Sequence, residues 1–215
     1  MIILTARITL NNGTIIIINN QNLLSLECSI FDRADLKLPS FGIISNVGNI
    51  EFNDIDGEVL AYSEQGLLEK SAKCEIWLSN TLVDGVSMQI GSYETDEWHY
   101  DEENRTFSVS LKDDLEELQN LTVEEVYYYT NNGEQRPLSW IYNYLYDITI
   151  QNYNILSFDE LDNETKSILE NTICKYVILH KATLWEQWTK LCQVAQLHIY
   201  KNNKGIIVCK YNGGN

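Results

Sequence analysis

The stretch IILTARITLNNGTIIII, residues 2–18, decides the fold of the N-terminal half of the chain. It places an apolar residue at every second position from Ile2 to Leu10, which is the period of a strand with one buried face. Asn12-Gly13 then provides a turn, and four isoleucines return. Asn-Gly between two β-branched runs is the strongest short-range signal of a hairpin. The sequence therefore predicts an antiparallel β-hairpin at the start of the chain.

Short apolar runs continue this β pattern as far as residue 111. Turns rich in Gly, Asn and Asp separate them, and near-regular spacing of this kind is typical of an antiparallel barrel or sandwich. Pro39 ends the third run, because proline cannot donate a hydrogen bond to a strand ladder. Residues 64–68 are too few for more than one helical turn. The further predicted strands are 24–31, 47–53, 73–78, 86–94 and 106–111.

The second half of the chain changes to a helical period. One face of a predicted helix over 184–197 is continuously apolar, and Thr183 with Glu186 forms a capping box at its start. That helix runs into a predicted hairpin with a turn at residues 202–205. The other predicted helices are 112–118, 138–148 after Pro137, and 158–171 with Ser157 as its N-cap.

These patterns predict an α+β fold with two domains. Residues 1–120 are expected to form a β-rich, barrel-like domain, and the patterns leave a closed barrel and an open sandwich as alternatives. Residues 121–215 are expected to form a helical and helix-hairpin unit. Gly213-Gly214 follows the last strand without a cap, so we expect a linker there and a further C-terminal region beyond it.

The chain of 215 residues carries a formal net charge of −16. A protein that binds duplex DNA needs a basic face to displace phosphate counterions, and binding to an anionic membrane surface needs one as well. The charge therefore argues against both partners. The sequence contains no apolar run long enough to cross a bilayer, and its first residues lack the basic segment and cleavage site of a signal peptide. We expect the chain to fold in the cytoplasm.

The sequence contains no motif of a catalytic, cofactor or metal centre, so we predict no enzyme activity. The five cysteines are odd in number and form no CxxC pair, which predicts small buried residues in a reducing compartment. The three histidines lack metal-binding spacing, and Asp54–Glu58 lacks the distal glutamate of a calcium loop. One alternative is a cell-wall hydrolase that uses Glu97 with Asp101, because a glycosidase needs two opposed carboxylates.

Aromatic residues cluster beside the acidic run and in the helical half. Tyr127, Tyr128 and Tyr129 are consecutive, so their side chains cannot all point into a core. At least one is expected to face solvent or a partner, and we predict these tyrosines as interface or ligand-facing aromatics. A second alternative function follows from them, a carbohydrate-binding module of a surface protein.

Three segments, Ile90–Asp114, Leu184–Val208 and Phe31–Gly42, carry a resemblance to a known family. The first is similar to a hairpin of phage tail hub and baseplate proteins, in which a strand with a glycine and a tryptophan meets a second strand that ends in a short acidic helix. The second resembles the unit of tail hubs in which an amphipathic helix runs into a hairpin with a glycine turn. The third is also similar to such phage proteins.

This resemblance implies a structural component of a tail hub or baseplate, which forms a ring at the distal end of the tail tube through protein–protein contacts. Proteins of this family are typically trimers built on barrel-like domains, so the expected partners are further copies of the chain and other tail proteins. DNA is expected to pass nearby without specific binding, because carboxylates around a lumen repel phosphates. The expected location is the virion tail, assembled in the cytoplasm of a bacterial host. The carbohydrate-binding alternative then includes a tail-fibre module.

Overall fold

The structure of the chain is a computed structural model, and its elements confirm a mixed α+β fold. Strands dominate the first half, whereas helices and short strands make up the second. For residues 126–129 and 176–179 only the backbone is described. The described residues are 2–28, 42–80, 86–123, 126–129, 136–152, 158–174, 176–179 and 181–211.

The strands are β1 (Ile2–Thr9), β2 (Ile15–Asn19), β3 (Leu23–Cys28), β4 (Gly42–Ile44), β5 (Val47–Asn53), β6 (Lys73–Asn80), β7 (Ser87–Asp101), β8 (Thr106–Lys112), β9 (Thr122–Val123), β10 (Val126–Tyr129), β11 (Arg136–Pro137), β12 (Ile173–Cys174), β13 (Tyr176–Leu179), β14 (Ala182–Thr183), β15 (Leu197–Lys201) and β16 (Ile207–Tyr211). The helices are α1 (Glu58–Glu64), α2 (Leu138–Asn152), α3 (Asn163–Asn171) and α4 (Leu184–Ala195), with a 3-10 helix at Asp114–Gln119.

The chain forms two compact units. The first contains the described residues of Met1–Phe31, Asn46–Asp113 and Asn202–Gly205. The second contains those of Asp32–Ser45, Asp114–Lys201 and Ile206–Asn215. The strand β4 thus belongs to the second unit, although most of the first unit follows it in sequence.

The first unit is built on one seven-stranded antiparallel sheet in the order β2-β1-β6-β7-β8-β5-β3. The predicted hairpin is present, with Ile8 opposite Ile16, and the N–H of Leu10 donates to the carbonyl of Thr14 at 2.9 Å. Strands β2 and β3 form the two edges, and no ladder joins them among the described residues. The described strands therefore form one large open sheet, and their hydrogen bonds do not close it into a barrel.

Inward-facing side chains of this sheet share one apolar core. The alternation that the sequence shows in β1 is the alternation of burial, since Ala6 and Ile8 are buried whereas Arg7 is exposed. Helix α1 adds Val59 to the same core. The buried members of this core are Ala6, Ile8, Leu10, Ile16, Ile18, Ile50, Phe52, Val59, Ala72, Cys74, Ile76, Tyr93, Phe107, Val109 and Leu111.

Two elements of the first unit differ from prediction. The sequence predicted no more than one helical turn at 64–68, whereas the structure has the seven-residue helix α1 at Glu58–Glu64. The carboxylate of Asp54 stabilises the start of this helix by accepting hydrogen bonds from the N–H groups of Val59 and Leu60. Strand β7 continues to Asp101, well past the predicted end at 94. It does so because its pairing shifts register between Thr95 and Trp98, so the strand bends and remains paired with β8.

The second unit contains a three-stranded sheet in the order β16-β15-β4. The pair β15–β16 is the predicted antiparallel hairpin, whereas β4 lies parallel to β15, with Gly42 opposite His198. Helix α4 packs against β4 and β15, and α3 packs against β16. The largest side chains fully buried here are Leu115, Leu118, Leu138, Leu145 and Trp188.

Helix α4 confirms the predicted capping box. The N–H of Glu186 donates to the Thr183 hydroxyl at 3.2 Å, and the Glu186 carboxylate accepts from the N–H of Thr183 at 3.3 Å. These two bonds satisfy orphan N–H groups at the start of the helix. The helix ends at Gln196, which takes a left-handed conformation with φ 56°, and β15 begins directly after it.

Helix α3 begins later than the sequence predicted. The expected start at Phe158 is wrong, because Phe158 instead forms a bridge with Ile207. Asp162 is the N-cap, and its carboxylate accepts from the N–H of Thr165 at 2.7 Å. Ser157, the predicted N-cap, lies outside the described residues. The helix predicted over 112–118 is the 3-10 helix of six residues at Asp114–Gln119.

Candidate functional site

The β7–β8 hairpin holds the two carboxylates of the hydrolase alternative. Asp101 closes the turn by accepting from the N–H groups of Glu103 and Asn104 at 2.9 and 3.2 Å and from the Asn104 side chain at 2.8 Å. The hydrogen bond from the Asn104 side chain lowers the pKa of Asp101 below its ordinary value. A general acid in glycoside hydrolysis needs a raised pKa in a dry site. Asp101 is therefore a turn-forming carboxylate and not a general acid.

Two further acids of this hairpin, Asp96 and Glu97, form an ion cluster with two lysines that solvent reaches. Lys70 lies 3.4 Å from the carboxylate of Asp96 and 3.8 Å from that of Glu97, and Lys112 lies 3.5 Å from Asp96. The Glu97 side chain is 76% exposed. Solvated pairs of this kind contribute little to stability and leave no low-dielectric environment for catalysis. The geometry gives the hydrolase alternative no support.

Three of the five thiols are buried, and burial favours their protonated form. Cys74, Cys192 and Cys209 are buried, and all five cysteines are free. Burial raises the pKa of Cys74 and of Cys209 to about 12 each. A thiolate is the reactive form of cysteine, so these side chains behave as small apolar residues.

The described part of the chain offers neither a metal site nor a membrane-spanning helix. No group of three or more His, Cys, Asp or Glu side chains lies together there in a way that could hold a metal ion. None of the helices in those ranges is long and apolar enough to cross a membrane. His180 lies outside the described residues.

The predicted aromatic site falls on β10, which pairs with β13 so that Tyr127 lies opposite Ile178 and Tyr129 opposite Tyr176. The side chains of Tyr127, Tyr128 and Tyr129 lie outside the described part of the structure. Their role as interface or ligand-facing aromatics, and the carbohydrate-binding function that depends on it, therefore stay predictions.

The first unit contains a surface groove that the sequence did not predict. It holds about 210 Å³ between the open edge of β2 and the segment that leads from β5 into α1. One wall is formed by Ile15 to Asn19 and the other by Phe52 to Tyr62. The sequence does carry a signal for its exposed isoleucines, because a strand with four consecutive isoleucines must turn alternate ones outward.

Neither a family model nor a curated protein matches the sequence. Solved structures do match the fold. The 43 kDa tail protein of prophage MuSo2 from Shewanella oneidensis has a TM-score of 0.54 at 11% identity, over 98% of this chain and 56% of that chain. A tail protein from Neisseria meningitidis MC58 has a TM-score of 0.52 at 12% identity, over 96% of this chain and 50% of that one.

The lidded PdpA–VgrG complex of Francisella matches as well, with a TM-score of 0.50 at 12% identity, over 100% of this chain and 29% of that chain. The chain thus spans about half the length of the two tail proteins and less than a third of the Francisella chain. At these identities the likeness concerns the fold alone. The resemblance to tail proteins inferred from the sequence is confirmed at that level, and the specific hub family stays a prediction. The chain has a phage tail-type fold.

Proposed function

We propose that this protein is a structural, non-enzymatic component of a phage tail hub or baseplate, and that copies of it form a ring through protein–protein contacts. The observation that carries the proposal is the fold likeness, which extends over nearly the whole chain to two proteins described as tail proteins. Fold alone does not determine function, so the proposal also draws on physical features of the two units.

Curvature of the seven-stranded sheet supports a barrel-like first unit. Tyr93 on β7 hydrogen-bonds through its side chain to Cys28 on β3, which is three ladder steps away. In a flat sheet those strands would be about 14 Å apart, which is farther than the two side chains can reach. In addition, the edge strands β2 and β3 are consecutive in the chain and joined by only Asn20 to Asn22. Both features require a strongly coiled sheet.

Surface charge supports a role beside DNA. The net charge of −16 keeps a protein from adhering to nucleic acid, since phosphates are repelled and no counterions are released on contact. A ring that conducts DNA needs such a surface. We propose accordingly that DNA passes the protein without specific binding, and that the protein is located in the virion tail after assembly in the bacterial cytoplasm.

Ring formation is tested by measuring the molar mass across a concentration series with light scattering, alone and with the neighbouring tail proteins. The expected result is a closed oligomer, with a trimer favoured, whose mass stays constant above a threshold concentration. Negative-stain images of the same sample should show rings. A chain that remains monomeric even with its neighbouring tail proteins present would contradict the proposal.

The two-domain division is part of the same proposal. We propose that a β-domain and a helix-hairpin domain, divided near residue 120, contribute separate contacts to the assembly. Limited proteolysis of the purified protein should then give fragments that end near this position. Cleavage scattered within β7 or α4 instead would count against two stable domains.

A further inference from the structure

The outer edge of strand β2 has no ladder partner among the described residues. The ladder of β2 with β1 contains the bonded pair Leu10–Thr14, and bonding alternates along an antiparallel ladder. Ile16 and Ile18 therefore bond to β1, whereas Ile15 and Ile17 direct their N–H and C=O groups away from it. The Asn22 side chain, which donates to the carbonyl of Ile17 at 3.5 Å, approaches from that outer side.

The groove defined above runs along this edge. At one end it is closed by the Asn20 to Asn22 turn, because Asn22 accepts from the N–H of Asn19 at 2.8 Å and from the N–H of Asn53 at 2.8 Å. The other end, beside Ile15, has no such bridge among the described residues. The open length is that of a few residues of extended chain, at about 3.4 Å per residue.

The lining of the groove is mostly polar, but three exposed isoleucines stand along its rim. Ile17 is 57% exposed, Ile15 42% and Ile55, on the opposite wall, 67%. These are large aliphatic side chains that a strand docked in the groove would cover. A strand edge with backbone donors and acceptors, flanked by apolar side chains, is the arrangement that proteins use to bind extended peptides by strand addition.

Charge indicates which peptide fits. The lining holds three carboxylates, Asp54, Asp56 and Glu58, and no cationic side chain. Asp54 caps α1, but Asp56 and Glu58 are exposed. Arg7 lies opposite Ile17 on β1, which is on the other side of β2 from the groove. A second copy of this chain, at −16, is poorly matched to an acidic groove.

We propose that this groove binds an extended, basic segment of a different protein, which adds beside β2 through the N–H and C=O of Ile15 and the N–H of Ile17 and places lysine or arginine against Asp56 and Glu58. The site is independent of ring formation, so its test does not depend on the function proposed above.

The test uses fluorescence anisotropy with the intact protein and a labelled hexapeptide of alternating valine and lysine. Two control peptides share its length: one replaces lysine by glutamate, and the other carries N-methyl groups that block strand hydrogen bonds. We expect saturable binding of the first peptide only. Equal binding of the N-methylated peptide would overturn strand addition, and absence of binding by the lysine peptide would overturn the site.

Variants then locate the site. Asp56→Lys with Glu58→Lys should weaken binding at least about tenfold by removing the charge match. The matched control is Glu102→Lys with Glu103→Lys on the β7–β8 turn, which changes the net charge equally and should leave binding within about twofold. An equal loss in both pairs would mean non-specific attraction and would overturn the site.

Ile17→Pro tests the backbone contribution. Proline removes the outward N–H of Ile17 but no ladder bond to β1, so we expect a folded protein that no longer binds the peptide. Undiminished binding would overturn strand addition at β2. If this variant fails to fold, the charge-reversed pairs still decide the question. A further outcome is that the protein associates with itself and that the Asp56→Lys, Glu58→Lys variant does not. This outcome would show that the groove binds a second copy of the chain, and it would overturn the proposal of a basic partner.

Discussion

Two five-residue strands of this protein show opposite relations between sequence and burial. Strand β2 reads IIIIN and is apolar at four of its five positions, yet Ile15 and Ile17 are exposed. Strand β15 reads LHIYK and contains two basic residues, yet four of its five residues are buried. β2 is an edge of its sheet, whereas β15 is the central strand between β16 and β4. Side-chain polarity alone therefore does not determine burial, which depends on the face that a residue takes and on what covers that face.

Burial of polar side chains in β15 requires compensation. Lys201 and Asp114, both with side chains 8% exposed, form an ion pair within the second unit. Burial also lowers the pKa of His198, which favours its neutral form. An apolar edge, in contrast, costs little by remaining in water but stays available for partners. The comparison thus separates a strand that stabilises its unit from one suited to binding.

The largest expected effect is on β15. Replacing Lys201 by alanine leaves the Asp114 carboxylate buried without its cation, and we expect a loss of about 3–5 kcal/mol in the free energy of unfolding. This loss is measured by urea denaturation that is monitored by circular dichroism. The control is the double variant Lys201→Met, Asp114→Leu, which removes both charges and should recover most of the loss. A small effect of Lys201→Ala would mean that solvent reaches the pair.

The second largest effect on stability is expected from one of two matched variants on β2. Ile18 is fully buried and Ile17 is mostly exposed, although they are identical residues in adjacent positions. Ile18→Ala should cost about 2–4 kcal/mol, whereas Ile17→Ala should cost less than about 0.5 kcal/mol. Thermal and urea unfolding of the two variants gives the comparison. Similar losses would mean that both faces of β2 are covered, and would contradict the open groove.

Alkaline pH tests the covered hairpin through Cys209, which lies opposite Ile199 of β15. Burial raises the pKa of this thiol from 9.0 to about 12. A group with a raised folded pKa contributes stability that is present below its unfolded pKa and is lost as the pH rises toward the folded one. Relative to Cys209→Val, the wild type should therefore lose on the order of 1 kcal/mol by about pH 10. Parallel pH profiles would contradict this burial.

Local signals explain which parts of the fold could be predicted. The Asn-Gly hairpin and the capping box of α4 depend on groups within a few residues of each other, so the sequence alone predicts them. The pairing of β4 with β15 joins segments far apart in the chain, and no local pattern reports it. Helix α3 was placed too early because Phe158 fits an apolar stripe, but it pairs with Ile207 instead.

The functional residues were harder to predict than the fold. Individual acids of the β7–β8 turn could be recognised from the sequence, but only coordinates show that Asp101 is occupied by turn hydrogen bonds. The groove combines β2 with the segment after β5, and its character depends on which strand is an edge. Edge position follows from the order of the whole sheet, which periodicity along one strand does not contain.

The smallest expected effect concerns the start of α4, the helix that packs against β15. Thr183→Ala removes the hydroxyl that accepts from the N–H of Glu186, and we expect a loss of about 1 kcal/mol. Thr122→Ala is the matched control, because Thr122 lies opposite Thr183 in the β14–β9 pair and is exposed. It should change stability by less than about 0.5 kcal/mol. Both are measured by urea unfolding, and equal losses would mean that the threonine methyl groups, not the cap, carry the effect. A cap effect confined to Thr183 would show that the helix packed against β15 contributes to stability through its N-terminal hydrogen bonds.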